Sequence, residues 1–216
     1  MSEVNIKVFP TSSIGEQEFW PQLHAVINEA YAPTREDWPL PKGFLRLPVD
    51  PREGAQQLAY NFGPEGFIAV AFAAETESVL ACAGLLPYNE AEHRAQIQKR
   101  GGFSDPELLN TAVDETSDQW ELNCVVTRPQ NRGSGYASSV IGVLEKEARR
   151  RKKMPMNRIR MVVRTIDELS GPFWRRVGYC ELEGLKMVLP IGFSHLEGGE
   201  GLQRELAMWY GDKWLD

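Results

Sequence analysis

The chain has 216 residues, 42% of them hydrophobic, and a formal net charge of −6. That length and composition suit one domain with a substantial core. The negative charge argues against a protein that grips nucleic acid over its whole surface. No apolar run reaches the roughly 18 residues of a membrane-spanning helix, which excludes an integral helical membrane protein.

The cysteines and the N-terminus bear on the compartment. Cys82, Cys124 and Cys180 are odd in number and widely spaced, which is typical of reduced thiols rather than of a disulfide framework or a metal site. The first residues lack the basic flank and long apolar stretch of a signal peptide. We therefore expect a soluble protein of the cytoplasm or the nucleus, with no bound metal.

In chain order, the N-terminal half begins with an alternating strand and an amphipathic helix. Polar and apolar residues alternate over Asn5–Phe9, and apolar residues recur at helical spacing over Phe19–Ala30. Five prolines between positions 33 and 51 predict a long extended loop, of the kind that often borders a binding site. A short helix over Glu53–Asn61 and two apolar strands, at 66–74 and 78–88, follow.

The C-terminal half starts with a polar segment, 89–118, in which we predict a helix and a loop. Strands are predicted over Trp120–Thr127 and Arg158–Ile166, and the helix between them carries apolar residues from Ala137 to Ala148. The remaining predicted elements are a short helix at 167–177, a bent final strand at 178–191 and an amphipathic helix that ends at 214.

The order of these elements predicts one domain that spans residues 1–216. Its predicted class is α/β or α+β, with a mixed, mostly antiparallel central sheet and helices on both sides. No internal repeat or linker divides the sequence.

The most informative stretch is the turn between the strand that ends at Thr127 and the helix that follows. It reads Arg132-Gly133-Ser134-Gly135. Three interpretations compete for it: a tight turn in which glycine only supplies permissive backbone angles, a dinucleotide-binding fingerprint, or a pyrophosphate cradle of backbone amides at a helix N-terminus.

The dinucleotide interpretation would make the chain an NAD(P)-dependent oxidoreductase, and it fits less well. Ser138 occupies the position of the third glycine, and the turn lies more than halfway along the chain. A nucleoside-triphosphate loop would require a Gly-Lys-Ser/Thr sequence that does not follow. Because no lysine or acid stands beside the glycines, the turn favours phosphates that are bound but not transferred.

At this point the residues resemble a family. Gln130-x-x-Gly133-x-Gly135 resembles the Gln/Arg-x-x-Gly-x-Gly/Ala signature of the GNAT superfamily of N-acetyltransferases, and "FWRRVGY" at 173–179 resembles its FYxxxGF segment. The resemblance covers about 119–189, where the predicted elements also follow the family's order. It implies the GNAT fold and the transfer of an acetyl group from acetyl-CoA to an amine.

By this resemblance, acetyl-CoA is held by the strand end, the glycine turn and the start of the next helix. Backbone amides of the turn and helix would hold the pyrophosphate, and backbone groups of the strand would align the pantetheine arm. The residues expected to bind the cofactor are Val125, Thr127, Gln130, Arg132, Gly133, Ser134, Gly135, Tyr136 and Ala137.

Glu121 is the leading candidate for the general base that removes a proton from the amine, because its strand leads into the expected cofactor site. By strand alternation, Glu121 and Asn123 lie on one face and Cys124 on the other. Asp118 and His93 are weaker candidates. Cys124 is expected to be a core thiol, so no acetyl-cysteine intermediate is predicted.

The sequence departs from the family at Trp174, four residues before Gly178, where a tyrosine commonly acts as general acid toward the coenzyme sulfur. An indole N–H donates a hydrogen bond but is no useful acid. Tyr136 is our candidate substitute, with Tyr88 and Tyr31 as others. Otherwise solvent protonates the thiolate, or catalysis is lost.

The acceptor is expected beside the proline-rich loop, 33–51, and segment 89–118, with Trp38, Phe44 and Trp174 as candidate substrate contacts. The predicted function is direct acetyl transfer, in a ternary complex, to a primary amine of a small molecule or peptide. The predicted protein is a monomer or homodimer without nucleic-acid or membrane partners. The alternative is a catalytically silent acyl-CoA-binding sensor or partner module.

Overall fold

The computed structural model describes residues 4–32, 39–99, 117–152, 158–182, 187–194, 196 and 199–215. The strands are β1 (Val4–Pro10), β2 (Phe67–Ala73), β3 (Val79–Pro87), β4 (Ser117–Thr127), β5 (Arg158–Ile166), β6 (Cys180–Glu181), β7 (Met187–Leu189) and β8 (Leu206–Leu215). The helices are α1 (Trp20–Tyr31), α2 (Pro51–Phe62), α3 (Glu90–Lys99), α4 (Tyr136–Arg150) and α5 (Asp167–Arg176).

One eight-stranded sheet organises the described residues. Its strands follow the order β1-β2-β3-β4-β5-β8-β6, and β7 also pairs with β8. The β4–β5 pair is parallel, and all other strand pairs within the described ranges are antiparallel. The predicted mixed, mostly antiparallel sheet is therefore confirmed. No helix in these ranges has the length and apolarity needed to cross a membrane.

Two apolar clusters cover the two faces of the sheet, since alternate residues of each strand point to opposite sides. The first cluster joins α4 and α5 to one face through buried residues such as Leu144, Trp174, Ala83, Trp120 and Met161. The second joins α1 and α2 to the other face through residues such as Leu23, Leu58, Val70, Cys82 and Cys124. Helices thus lie on both sides of the sheet, as predicted.

Local signals set the ends of α2, which frames one side of the site described below. The Asp50 carboxylate accepts a hydrogen bond from the Arg52 amide at 2.8 Å, and Pro51 occupies the first helical position. The helix ends at Gly63, whose φ of 67° favours glycine. The observed helix extends the predicted one by one to two residues at each end.

The prediction of a C-terminal helix is wrong. The predicted final helix is strand β8, which pairs with β5 from Met208 opposite Ile166 to Leu215 opposite Ile159. Without β8 that edge of β5 would be left unpaired. Within β8 the Trp209 ring packs over Gly211, where a Cβ would lie 2.2 Å from the ring. Within the predicted bent strand at 178–191, the structure describes two strand segments, β6 and β7, and residues 183–186 lie outside the described part of the chain.

Candidate functional site

The site begins where β4 and β5 separate. Their parallel pairing runs from Ser117 opposite Arg158 to Leu122 opposite Val163, although β4 continues to Thr127. Beyond Leu122, the β5 side of β4 has no strand partner among the described residues. A strand edge of this kind presents backbone N–H and C=O groups to an extended ligand.

A β-bulge in β4 accompanies this separation. Gly84 pairs with Asn123 whereas Cys82 pairs with Val126, so β4 has one extra residue, and Cys124 adopts a φ of 54°. The predicted alternation therefore fails at Cys124, which lies in the second cluster on the same side as Glu121. A one-residue shift exchanges the two faces of a strand. Cys124 is nevertheless a buried thiol, 3% exposed.

The glycine turn forms the next part of the site. Gly133 and Gly135 have φ values of 84° and 82°, and Gly135 is the N-cap residue of α4. In the described structure, a Cβ at either position would lie more than 4 Å from any heavy atom beyond its chain neighbours. The turn thus combines backbone that favours glycine with open space in front of the first amides of α4, which have no helical acceptor.

The side chain of Arg132 ties this turn to α1. Its Nη2 donates a hydrogen bond to the Ala30 carbonyl at 2.8 Å, near the C-terminal end of that helix. Gln130 and Ser134 are exposed, whereas Tyr136, Ala137, Val125 and Thr127 are partly buried. The structure therefore brings the nine predicted cofactor residues into one continuous path from the free edge of β4 to the first turn of α4.

Glu121 lies just before the strand separation and is buried, with 4% of its surface exposed. Its carboxylate accepts hydrogen bonds from Arg164 of β5, with Nη2 at 2.7 and 2.8 Å from the two oxygens, and from Asn123 at 3.2 Å. A buried carboxylate requires such partners. Arg164 was not predicted, because nothing in its strand marks it as the partner of Glu121.

A cavity of about 430 Å³ opens in front of Glu121. Its walls come from the C-terminal end of α2, the end of β3, α3 and β5, and include Tyr60, Glu65, Tyr88, His93 and Arg164. Burial raises the pKa of Tyr88, and the nearby Glu90 carboxylate adds to this, so the hydroxyl stays protonated at neutral pH. The cavity therefore presents several groups that can accept or donate protons or hydrogen bonds.

Helix α3 brings His93 to this cavity. His93 is 6% exposed, and its Nδ1 lies 2.7 Å from the Tyr88 hydroxyl. The helix is anchored by Glu90, which pairs with Arg160 of β5 at 2.7 Å, while Arg160 also pairs with Asp212 of β8 at 2.7 Å. The predicted helix in segment 89–118 thus becomes part of the cavity wall, and residues 100–116 lie outside the described part of the chain.

Two of the predicted substrate contacts, Trp174 and Phe44, are buried and do not line this cavity. Trp174 is 3% exposed in the first cluster, with its ring centroid 5.1 Å from those of Phe173 and Tyr179. Phe44 is 3% exposed in a third apolar cluster with Leu40, Leu189, Leu202 and Leu206. Both side chains fill the core because the helix and loop that carry them pack onto the sheet. Trp38 lies outside the described residues.

Two other candidates, Tyr136 and Asp118, lie on the side of the first cluster. Tyr136 starts α4 and packs against the first cluster, at the turn rather than in the cavity wall. Asp118 precedes Trp120 by two residues and so shares the face of the first cluster. Within the described ranges, no group of three or more His, Cys, Asp or Glu side chains is placed to hold a metal ion.

No protein-family model and no curated protein matches the sequence. Solved structures do match the fold. The ribosomal-protein-alanine N-acetyltransferase from Brucella melitensis is 17% identical, with a TM-score of 0.57, over 98% of this chain and 99% of its own. The polyamine N-acetyltransferase from Drosophila melanogaster is 14% identical, with a TM-score of 0.56, over 99% and 100%.

A third similar structure contains the cofactor that the sequence suggested. It is a putative acetyltransferase from Salmonella typhimurium with its cofactor acetyl-CoA, 13% identical, with a TM-score of 0.51, over 99% of this chain and 94% of its own. At these identities the likeness establishes a shared fold over essentially the whole length of each chain.

Proposed function

We propose that this chain, which has the fold of the GNAT superfamily, is an acetyl-CoA-dependent N-acetyltransferase. The observation that carries the proposal is the juxtaposition at one end of β4. The strand separates from β5 after Leu122, bulges at Cys124 and leads into two left-handed glycines at the N-terminus of α4. One path thereby offers a strand edge for an extended arm and amides for a pyrophosphate.

The chemistry of the glycine turn supports binding of the cofactor's phosphates without their transfer. The amides at the start of α4 and the helix dipole favour an anion, and no side chain at Gly133 or Gly135 obstructs its approach. The similar structure from Salmonella typhimurium, which contains acetyl-CoA, supports the same ligand. When bound, acetyl-CoA supplies a thioester whose carbonyl carbon is open to attack by an amine.

The cavity in front of Glu121 is proposed as the binding site of the acceptor amine. An amine nitrogen there would attack the thioester carbon, the C–S bond would break, and the amine would lose one proton. Glu121 is the proposed acceptor of that proton, directly or through one water. Its carboxylate lines the cavity, and it lies on β4 one residue before the last pair with β5. A cavity of about 430 Å³ suits a small molecule or the end of a peptide.

Direct transfer is proposed rather than a covalent acetyl-enzyme. Cys82 and Cys124 are the cysteines beside the strand separation, and burial raises the pKa of both thiols. A buried, protonated thiol is a poor nucleophile. The amine and acetyl-CoA would therefore occupy the protein together, as the sequence predicted.

The sheet argues against the oxidoreductase alternative. A dinucleotide fingerprint lies at the switch point of a mostly parallel sheet, whereas in the described sheet the glycine turn connects β4 to β5, the one parallel pair among otherwise antiparallel pairs. A catalytically silent sensor would bind acyl-CoA at the same site but would not transfer the acetyl group. It differs from the enzyme in turnover alone.

The test is release of free thiol from acetyl-CoA with a broad panel of amines, alongside binding of acetyl-CoA and NADH. The proposal predicts that acetyl-CoA raises Tm, that NADH does not, and that at least one amine gives turnover. Tight binding of acetyl-CoA with no turnover on any amine would favour the sensor. Stabilisation by NADH alone would contradict both.

A further inference from the structure

The cavity in front of Glu121 also contains a cation, Arg164. Arg164 is the first residue of β5 after the last pair with β4, which joins Leu122 to Val163. Both Arg164 and Glu121 line the cavity. A molecule in the cavity therefore meets a carboxylate and a guanidinium side by side, at the point where the strands separate and the acetyl-CoA arm is proposed to lie.

The hydrogen bonds of Arg164 leave part of its guanidinium unused. Nε donates to one Glu121 oxygen at 3.0 Å, and Nη2 donates to both oxygens, at 2.7 and 2.8 Å. The N–H donors of Nη1 remain, and no other described residue accepts a hydrogen bond from them. The side chain is 29% exposed, and none of the buried polar atoms that lack a partner in the described ranges belongs to it. A ligand in the cavity can therefore reach Nη1.

A chain of hydrogen bonds holds this pair in place. Glu121 accepts a further hydrogen bond from the Asn123 side-chain nitrogen at 3.2 Å, and the Asn123 side-chain oxygen accepts one from Arg46 Nη2 at 2.9 Å. The Asn28 side-chain oxygen accepts from the backbone amide of Arg46 at 3.1 Å, which attaches the chain to α1. These contacts fix Glu121 and Arg164 without occupying Nη1, so its donors are preorganised for a ligand.

The charge of the pair decides which kind of group fits Nη1. Glu121 already neutralises Arg164, so a second carboxylate would place excess negative charge beside a base that is only 4% exposed. A neutral carbonyl oxygen accepts a hydrogen bond without adding charge. Nη1 and Nη2 are bonded to the same carbon, so a carbonyl at Nη1 lies close to Glu121. A molecule that contacts both groups needs its amine and its carbonyl on neighbouring atoms.

The mouth of the cavity leaves room for a chain beyond that carbonyl. The C-terminal end of α2 and the turn after it contribute Tyr60, which is 86% exposed, and the exposed residues Asn61 and Pro64. An exposed aromatic ring offers apolar surface to a ligand that extends toward solvent. The acceptor is therefore not restricted to a molecule that the cavity encloses completely.

We propose that the acceptor is an α-amine next to a neutral carbonyl, as in the amide of an amino acid or at the N-terminus of a peptide, and that Arg164 determines this specificity. The inference rests on the proposed acetyl transfer and names the substrate class of the same cavity. The amine nitrogen lies at Glu121, and the carbonyl oxygen accepts a hydrogen bond from Arg164 Nη1. An alkylamine leaves this donor without a partner, which weakens its binding.

The kinetic test compares acceptors that differ only beside the amine. The amides of glycine, alanine and phenylalanine are matched by amines in which an isopropyl group replaces the carboxamide, and by the free amino acids. With rates expressed per concentration of neutral amine, kcat/KM for the best amide should exceed that of both analogues about tenfold. A tripeptide with the same first residue distinguishes a peptide acceptor from a small one. Equal kcat/KM for the amides and their isopropyl analogues would overturn the inference.

Arg164→Lys tests whether this residue sets the preference. Lysine keeps a positive charge beside Glu121 but lacks Nη1, so any loss that acts through Glu121 is common to both acceptors. The preference for the amide should fall from about tenfold to within about twofold. Arg160→Lys is the matched control, because Arg160 is a buried arginine of the same strand that pairs with Glu90 and Asp212 and is not among the residues that line the cavity. It should keep the preference, and an unchanged preference in Arg164→Lys would refute the role of Arg164.

A binding test needs no turnover and separates this inference from the proposed function. The N-acetylated forms of the three amides and of their isopropyl analogues are titrated, with NMR detection, into the protein saturated with coenzyme A. The best amide should bind about tenfold more tightly than its analogue to the wild type, and within about twofold of it in Arg164→Lys. Equal affinities in the wild type would refute the inference even if acetyl transfer were confirmed. The predicted difference without turnover on any amine would leave the carbonyl site at Arg164 supported and the enzyme refuted.

Discussion

The two faces of β4 and β5 differ in chemistry although alternate residues of the same two strands form them. One face is apolar and packs under α4 in the first cluster, with Trp120, Leu122, Met161 and Val163. The other face carries charges that reach the cavity or anchor its wall, with Glu121, Arg160 and Arg164. Glu121 is as buried as Trp120, at 4% exposure.

This difference shows where stability and function are expected to reside. Burying charge contributes little to stability even when every charge is paired, and apolar packing of the same volume would serve as well or better. We therefore expect Glu121 and Arg164, the paired charges of the second face that line the cavity, to serve the proposed chemistry. Changes on the apolar face should alter the free energy of unfolding, and changes on the charged face should alter turnover.

The largest expected effect tests the apolar face at Trp174. Trp174→Ala should lower the free energy of unfolding by about 3–5 kcal/mol, because it empties a buried aromatic site between Phe173 and Tyr179. Activity per folded molecule should be unchanged at low temperature, and Trp174→Phe should recover most of the stability. Denaturant unfolding and kinetics on one preparation measure both. A specific loss of kcat in Trp174→Phe would place this residue in the chemistry.

The next effect tests the charged face at Glu121. Glu121→Gln keeps an oxygen for Arg164 but removes the base, so kcat/KM should fall about 100-fold, which is about 2.7 kcal/mol. Asp118→Asn is the matched control, since it neutralises another buried carboxylate of β4 on the opposite face. Equal losses in the two variants would contradict the proposed division between the faces.

The smallest effect lies outside both faces, at the C-terminal end of α4. Hydrogen bonds from Arg150 and Arg151 lower the pKa of Glu147 to about 2. A depressed carboxyl pKa stabilises the fold above the unfolded value, near 4.5, and this contribution is lost as pH falls toward 2. Glu147→Gln should therefore lower Tm at pH 7 by at most about 2–4 °C. Scans at decreasing pH should show the difference shrinking below about 4.5, and a constant difference would contradict the pairing.

Sequence reasoning found the elements whose signals are local. Glycines at a helix start, prolines in a loop and alternating strands all act within a few residues, so the turn at Gly133 and Gly135 and strands β1 to β5 were predicted. Strand β8 was missed because its Trp and Tyr residues also suit an amphipathic helix. This segment forms a strand rather than a helix because it pairs with the edge of β5, which would otherwise have no partner.

The candidate site was less accessible to sequence than the fold. The bulge at Cys124 and the pairing of Glu121 with Arg164 depend on contacts between strands that are distant in sequence. The burial of Trp174 was not predicted, because family position indicates where a residue lies along the chain, not whether folding leaves it accessible.

The central claim is that the glycine turn binds the pyrophosphate of coenzyme A, and paired tryptophan substitutions test it most directly. Gly135 and Gly192 have nearly equal φ values, 82° and 81°, and both face open space, so the strain of substitution is matched. Calorimetric titration with coenzyme A should show binding weakened at least about 100-fold in Gly135→Trp, about 2.7 kcal/mol, and changed less than about twofold in Gly192→Trp. Undiminished affinity in a folded Gly135→Trp variant would contradict the cofactor assignment.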